Sequence, residues 1–199
     1  LQALANSVAK YGKRDCFSTL QKFVTGSYDG KICILYGLRR TGKTTLLFQM
    51  LSELSIEKTA YIKVQTTDDM SRLTKDLKVL FELGYRYVFI DEITLLSDFI
   101  DTAAVLSDVF SMMGMKIVVS GTDSLGFAMA NRDELYDRSV TIHTSFIPFR
   151  EYARLLNIRS VDSYIEYGGT LKMENMSFDD SDACLLYTSP SPRDISGSR

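Results

Sequence analysis

The stretch that decides the fold reads Gly37-Leu38-Arg39-Arg40-Thr41-Gly42-Lys43-Thr44-Thr45. It fits the pattern G-x-x-x-x-G-K-[ST], known as a P-loop, without a mismatch. An apolar run that favours a strand, 31–36, comes just before the motif, and a helix-like segment, 44–54, comes just after it. This strand–loop–helix setting is the one in which the motif binds phosphate. We therefore predict that residues 37–45 bind a nucleoside triphosphate, in preference to forming an ordinary turn before a helix.

The residue types of the motif explain its chemistry. Glycines let the backbone curl so that successive N–H groups point at phosphate oxygens, and the helix N-terminus adds unpaired donors and a partial positive charge. Lys43 is expected to reach the β- and γ-phosphates, and Thr44 is expected to place its hydroxyl on Mg²⁺. The sequence thus predicts the nucleotide and the metal ion together.

A second informative segment reads Tyr87-Val88-Phe89-Ile90-Asp91-Glu92, an apolar run that ends in two carboxylates. Such a run suits a strand buried on both faces of a parallel sheet, and acids at its C-terminal end lie where α/β proteins bind ligands. Asp91 is predicted to hold the Mg²⁺ shell, and Glu92 to orient and deprotonate the attacking water. The alternative is a solvated Asp-Glu pair that caps the next helix.

A third strand candidate, 116–120, leads into Gly121 and Thr122. In P-loop ATPases with a glutamate base, a strand between the P-loop strand and the acidic strand carries a polar residue that faces the γ-phosphate. Thr122 or Ser120 could fill this role through a hydrogen bond to phosphate or to the attacking water. A turn whose side chains bond the local backbone accounts for these residues equally well, so both interpretations stay open.

Helix and strand patterns alternate along the chain, as a parallel α/β sheet requires. Strands are predicted at 32–36, 59–64, 87–90, 116–120 and 139–143, and helices at 1–23, 44–54, 69–83, 98–112, 124–130 and 149–156. Gly84 suits the C-cap of the helix before it, and Pro148 suits the start of the last helix. The predicted fold class is α/β, a P-loop nucleotide-binding domain with a parallel sheet.

Composition and charge argue against several other kinds of site. The net charge of −2 gives no electrostatic footprint for nucleic acid. Cys16 and Cys33 form no C-x-x-C pair, and the lone His143 has no metal-ligand partner at a suitable spacing, so neither a disulfide scaffold nor a zinc site is expected. No apolar run reaches the ~18 residues of a membrane span, and the expected compartment is the cytoplasm.

The two ends of the chain differ from its centre. Residues 184–194 read Cys-Leu-Leu-Tyr-Thr-Ser-Pro-Ser-Pro-Arg-Asp, which resembles a translated sequencing adaptor more than a natural linker. The chain begins at Leu1 and is expected to be a fragment open at both ends. The expected divisions are a helical lead-in at 1–28, the P-loop domain at 29–157, a truncated C-terminal region at 158–183 and the adaptor-derived artefact at 184–199.

A series of motifs in a fixed order makes the chain resemble the AAA-like ATPases of bacteria and archaea that carry a P-loop core followed by a C-terminal domain of unknown function. The resemblance covers about residues 20–175 and rests on 37–47, 88–93, 121–124, 135–138, 146–152 and 164–169. The turn at 121–124 reads Gly-Thr-Asp-Ser where the family has Gly-Ser-Ser-Ser, which weakens the carry-over of a role to Thr122.

The resemblance implies a sheet ordered 5-1-4-3-2, sandwiched by helices, with the nucleotide at its C-terminal edge. It implies ATP and Mg²⁺ as ligands, and a homo-oligomer as one form of the protein. It also implies a charge-stabilising role for Arg138, within the subunit or across an oligomer interface. The alternative for Arg138 is a surface ion pair with Asp133, Glu134 or Asp137. ATP is favoured over GTP because the guanine-reading motif N-K-x-D is missing.

These residues favour Mg²⁺-dependent ATP hydrolysis coupled to conformational change. A protein that only binds the nucleotide has no need of a base, Glu92, beside the acidic residue that holds Mg²⁺, Asp91. Two alternatives stay open. One is a slow nucleotide-gated signalling or defence switch. The other is an ATPase that acts with a nucleic-acid-binding C-terminal domain, and no membrane partner is expected.

Overall fold

Five parallel strands form one sheet in the computed structural model, which describes residues 2–99, 103–122, 127, 135–144, 146–157, 160–167 and 169–170. The strands are β1 (Ile32–Gly37), β2 (Thr59–Lys63), β3 (Tyr87–Asp91), β4 (Lys116–Gly121) and β5 (Ser139–Thr144). Their order is β2-β3-β4-β1-β5, which is the expected 5-1-4-3-2 read from the other edge. The predicted α/β P-loop fold is therefore confirmed.

The sheet has a hydrophobic core on each of its faces. Successive residues of a strand point to opposite faces, and β1 follows this rule: Ile32 and Ile34 belong to one core cluster, whereas Cys33 and Leu35 belong to the other. Burial on both faces explains why the central strands read as unbroken apolar runs instead of alternating patterns.

Six α-helices accompany the sheet within the described residues: α1 (Gln2–Val8), α2 (Phe17–Thr25), α3 (Lys43–Leu51), α4 (Met70–Glu82), α5 (Phe149–Leu156) and α6 (Val161–Tyr167). Short 3₁₀ turns lie at Ile56–Lys58 and Ile93–Leu95, and a π-helical segment lies at Leu106–Ser111. In this part of the chain, no helix has both the length and the apolar character that crossing a bilayer demands.

Helix boundaries differ from the prediction in several places. The helix predicted at 1–23 is two helices, α1 and α2, and the helix predicted at 44–54 ends at Leu51. The described part of the helix predicted at 98–112 is π-helical over Leu106–Ser111. The helix predicted at 124–130 lies outside the described residues apart from Phe127.

Tertiary contacts explain the break between α1 and α2. The side-chain amide of Gln49 donates to the carbonyls of Tyr11 and Gly12, at 3.1 and 3.3 Å. A Cβ atom at Gly12 would lie 2.8 Å from Cδ2 of Leu155, so the segment packs closely against α5 at this glycine. These contacts override the local helical pattern, because propensity is a weak preference compared with packing.

The predicted end signal of α4 and the predicted start signal of α5 are confirmed. Asp69 precedes α4, and its side chain accepts a hydrogen bond of 2.7 Å from the Arg72 backbone N–H. Gly84 follows α4 at a φ of 89°, the left-handed conformation that glycine adopts most easily. Pro148 directly precedes α5, where its fixed φ suits the first turn.

Candidate functional site

The P-loop joins the end of β1 to the start of α3. Gly37 has a φ of 149°, and a Cβ atom there would lie 2.2 Å from the Thr144 carbonyl oxygen, so a side chain has no room. Gly42 takes the N-cap position of α3 in the left-handed conformation, with a φ of 89°. The two glycines of the motif therefore meet two different demands: close packing against β5 and a backbone turn into the helix.

Lys43 lies inside the loop with only 6% of its surface exposed. Its ammonium donates to the carbonyl oxygens of Gly37 and Leu38, at 2.8 and 2.7 Å. Burial lowers the pKa of Lys43, and the charges of Glu92 and Asp91 act in the opposite direction. The two carboxylates are thus close enough to the ammonium to stabilise its charge.

Asp91 is 2% exposed and accepts hydrogen bonds from three hydroxyl groups. The Thr44 and Tyr61 hydroxyls both donate to Oδ2 at 2.9 Å, and the Ser120 hydroxyl donates to Oδ1. Burial raises the pKa of Tyr61, and the negative charge of Asp91 raises it further, so Tyr61 keeps the proton that it donates. Three fixed donors orient the carboxylate of Asp91.

The oxygen atoms of Thr44 and Asp91 fit a magnesium ion. Mg²⁺ prefers hard oxygen ligands, keeps several waters, and binds proteins through one or two side chains together with the phosphates of a substrate. The part of the chain that the structure describes contains no cluster of three His, Cys, Asp or Glu side chains that could hold a metal ion without such help. A hydroxyl and a carboxylate in hydrogen-bond contact are the protein's share of such a site.

Glu92 occupies a strained position directly after β3. Its φ of 60° and ψ of 38° are left-handed, which costs a non-glycine residue about 1–2 kcal/mol. Such strain is concentrated at functional sites, where the surrounding structure maintains it. Glu92 makes no side-chain cap to the following 3₁₀ turn, and Asp91 is not solvated. The alternative of a solvated helix-capping pair therefore does not describe these two residues.

Two polar residues of β4 and its end have different surroundings. β4 lies between β1 and β3, as the prediction for the third strand required. The Ser120 hydroxyl is buried and bonds to Asp91, and its oxygen also lies 3.4 Å from the Glu92 backbone nitrogen. Thr122 follows β4 at the same edge of the sheet as the P-loop and is half-buried. A role for Thr122 toward phosphate stays a prediction.

Arg138 lies at the other end of the sheet. It directly precedes β5, its carbonyl accepts from the Ile32 N–H at 2.9 Å, and its guanidinium pairs with Asp108 at 3.0 Å. Because β5 runs parallel to β1 for six residues, about 20 Å of strand separates Arg138 from the P-loop of its own chain. At this distance Arg138 does not reach the P-loop of its own chain, so the predicted charge-stabilising role within the subunit does not fit its position.

Among the three alternative ion-pair partners of Arg138, the structure describes only Asp137. Asp137 pairs with Lys31 at 2.8 Å, and Arg138 has Asp108 as an ion-pair partner instead. Asp133 and Glu134, the other two candidates, lie outside the described residues.

Some residues that support the site have no signal in the sequence. Tyr61 bonds to Asp91, the Thr144 hydroxyl lies 2.8 Å from that of Thr41, and Arg14 donates to the Thr41 carbonyl at 2.7 Å. Each of these residues is more than 25 positions from its partner, so no local spacing links them. His143, in contrast, stacks on Tyr36 with 4.7 Å between ring centroids, in keeping with a structural role.

Comparison with known proteins adds one finding to this geometry. The model of a family described as an AAA domain matches residues 29–153, which is well over half of the chain. The match begins just before β1 and ends within α5, so it includes the P-loop, Asp91 and Glu92. No curated protein matches the chain.

Proposed function

Because the chain belongs to the AAA domain family, we propose that it binds ATP together with Mg²⁺ and hydrolyses it. One observation carries the proposal: the Thr44 hydroxyl of the P-loop bonds to the Asp91 carboxylate at 2.9 Å, with Glu92 next in the chain. This contact joins the phosphate-binding loop to the acidic strand at one edge of the sheet. Hydrolysis requires such a contact, because the metal ion, the phosphate-binding loop and the base must all act on the γ-phosphate.

Each residue of the site has a separate task in binding. The loop N–H groups and Lys43 neutralise the charge of the β- and γ-phosphates. Thr44 and Asp91 would supply one hydroxyl and one carboxylate to the shell of a bound Mg²⁺, which would offset the negative charge that develops during phosphoryl transfer. The family and the missing N-K-x-D motif together favour ATP over GTP.

We propose that Glu92 acts as the general base. Its carboxylate accepts a proton from a water molecule as the water oxygen forms a bond to the γ-phosphorus. The bond between the γ-phosphorus and the bridging oxygen breaks, and ADP and inorganic phosphate leave. The negative charge of Glu92 acts on Lys43, so the base lies near the group that is expected to hold the γ-phosphate.

Phosphate release from ATP and Mg²⁺ by the full chain tests the proposal. We expect steady turnover that falls at least ~100-fold in Glu92→Gln, which keeps the shape of the side chain but cannot take the proton. Lys43→Ala should weaken ATP binding at least ~10-fold. Glu82→Gln and Lys78→Ala change the same residue types on the exposed surface of α4 and should behave like the unaltered protein.

The outcome also distinguishes the proposal from a slow nucleotide-gated switch. A switch would bind ATP with the same residues, and Glu92→Gln would leave its slow rate nearly unchanged. Absence of ATP binding by the unaltered chain would refute both functions. Stimulation of turnover by DNA that disappears at high salt would instead support an ATPase acting with a nucleic-acid-binding region.

A further inference from the structure

A buried arginine contacts the P-loop from the segment between α1 and α2. Arg14 is 7% exposed, and its Nη1 donates to the Thr41 carbonyl oxygen at 2.7 Å. This carbonyl belongs to the peptide that joins Thr41 to Gly42, the residue at which the loop enters α3. Arg14 lies outside the segment that matches the family, at 29–153.

The contact fixes the orientation of one peptide group in the loop. In a trans peptide the carbonyl and the N–H point in opposite directions, so a carbonyl held toward Arg14 directs the Gly42 N–H away from Arg14. Glycine adopts positive and negative φ about equally well, so this peptide lacks the steric preference that would otherwise hold it. The guanidinium supplies the missing preference.

Glu151 in α5 holds that guanidinium in place. Arg14 Nε donates to Oε1 at 3.0 Å and Arg14 Nη2 donates to Oε2 at 3.1 Å, a two-pronged pair that leaves Nη1 for the loop. The Asp15 backbone N–H donates to Oε1 at 2.8 Å. Burial opposes ionisation of Glu151, but the Arg14 and Asp15 hydrogen bonds overcome it and lower the pKa of Glu151.

The chain of contacts continues from α5 to α6. The rings of Phe149 and Tyr152 contact the Tyr164 ring, with centroids 5.4 and 5.2 Å apart, and the Tyr164 hydroxyl donates to the Ile147 carbonyl at 2.7 Å. Arg154, an exposed residue of α5, bonds to the segment that contains Arg14. It donates to the Lys13 carbonyl and to the Asp15 carboxylate. Arg154 thus fastens α5 without a contact to the P-loop.

We propose that Arg14 is a positioning residue for the P-loop and that its pair with Glu151 couples nucleotide binding in the loop to the stability of α5. Arg14 and Glu151 hold the Thr41–Gly42 peptide in the orientation that receives phosphate. A phosphate bound to the loop in turn stabilises that orientation, and through it the buried pair and α5. The inference rests on the proposed function, because it needs a nucleotide in the P-loop.

Hydrogen–deuterium exchange on the unaltered full chain is the first test. With a non-hydrolysable ATP analogue and Mg²⁺, we expect slower exchange at 13–16 and 149–156 and no change in α4, which makes none of these contacts. Analogue binding without slower exchange in α5 overturns the inference and leaves nucleotide binding intact. Failure of the analogue to bind, in a separate affinity measurement, overturns the proposed function and this inference together.

A matched set of variants is the second test. Arg14→Met with Glu151→Met removes the pair without leaving a buried charge unpaired, a replacement that proteins often tolerate. We expect this folded variant to bind a fluorescent ATP analogue at least ~10-fold more weakly. Arg154→Met removes bonds from α5 to the same segment, and a charge that acts on Glu151, but no contact to the P-loop. It should stay within ~2-fold of the unaltered protein.

If Arg154→Met weakens binding of the analogue as much as the double variant does, the Arg14–Glu151 pair only helps to hold α5 in place, and the proposal is contradicted. If the double variant does not fold, the exchange experiment decides alone, because it needs only the unaltered chain.

Discussion

The Thr44 hydroxyl donates a 2.9 Å hydrogen bond to Asp91, a residue 47 positions later in the chain. The contact exists because β1 and β3 are parallel and end at the same edge of the sheet, so that the loop after one meets the last residue of the other. It brings a hydroxyl and a carboxylate to the separation at which one metal ion can bind both. The predictions that follow start from this pair.

Asp91→Asn should abolish the Mg²⁺ dependence of ATP binding and phosphate release while keeping the fold. The amide has nearly the shape of the carboxylate, and the hydroxyls around it can accept as well as donate hydrogen bonds. We expect phosphate release to fall at least ~100-fold and ATP affinity in EDTA to change less than ~3-fold. Asp76→Asn on the exposed face of α4 is the control. Equal loss of ATP affinity with and without Mg²⁺ would contradict the metal role.

Tyr61→Phe should raise the Mg²⁺ concentration needed for half-maximal phosphate release. The change removes one of three hydroxyls that orient Asp91 and leaves the ring packed against Phe48. Loss of a partner that orients a metal ligand typically costs 10- to 100-fold in metal affinity, and we expect the lower end because two donors remain. Binding of Mn²⁺ with ATP, followed by electron paramagnetic resonance, checks the affinity directly. Tyr136→Phe, at an exposed turn, should show no shift.

Gly37→Ala should destabilise the protein far more than Gly84→Ala. Both glycines have positive φ, but a Cβ at Gly37 would lie 2.2 Å from the Thr144 carbonyl, whereas at Gly84 nothing lies within 4 Å. Gly84→Ala should therefore cost only the strain of left-handed backbone, about 1–2 kcal/mol. Urea unfolding of both variants gives the comparison. Similar losses in the two variants would contradict the close packing of Gly37 against β5.

Glu151 should make stability fall in acid. Despite the opposing effect of burial, hydrogen bonds from Arg14 and the Asp15 N–H lower the pKa of Glu151 below its ordinary value of 4.5. The folded protein then binds fewer protons than the unfolded chain, so this stabilisation is complete above pH ~4.5 and is lost as the pH falls through the folded pKa. Urea unfolding between pH 7 and pH 3 should show a smaller loss in Glu151→Gln. Glu82→Gln, in an exposed position, should keep the full loss.

Arg138→Ala should leave the ATP affinity within ~2-fold of the unaltered value, because about 20 Å of strand separates this residue from its own P-loop. A rate that nevertheless falls would assign Arg138 to the site of a neighbouring subunit. Mixing Arg138→Ala with Lys43→Ala would then restore part of the turnover, since some interfaces would combine an intact arginine with an intact P-loop. A tenfold loss of affinity in a monomer would contradict the location of Arg138 at the end of the sheet away from the P-loop.

Much of the fold could be predicted from the sequence, together with two parts of the site, the P-loop and the acidic end of β3. Glycine spacing and apolar runs indicate local backbone conformation and burial directly, and the strand order follows from the resemblance. The break between α1 and α2 could not be predicted, since it depends on Gln49 and Leu155, which are distant in the chain.

The sequence by itself determined that a phosphate-binding loop follows a buried strand and that Asp91 and Glu92 end another. Only the tertiary structure decided which side chains surround these groups. Tyr61 reaches Asp91, Arg14 reaches Thr41, and Arg138 lies at the far end of its strand. The physical reason is that a motif records the conformation of neighbouring residues, whereas a hydrogen bond between strands or helices depends on sheet order and packing, which no single segment contains.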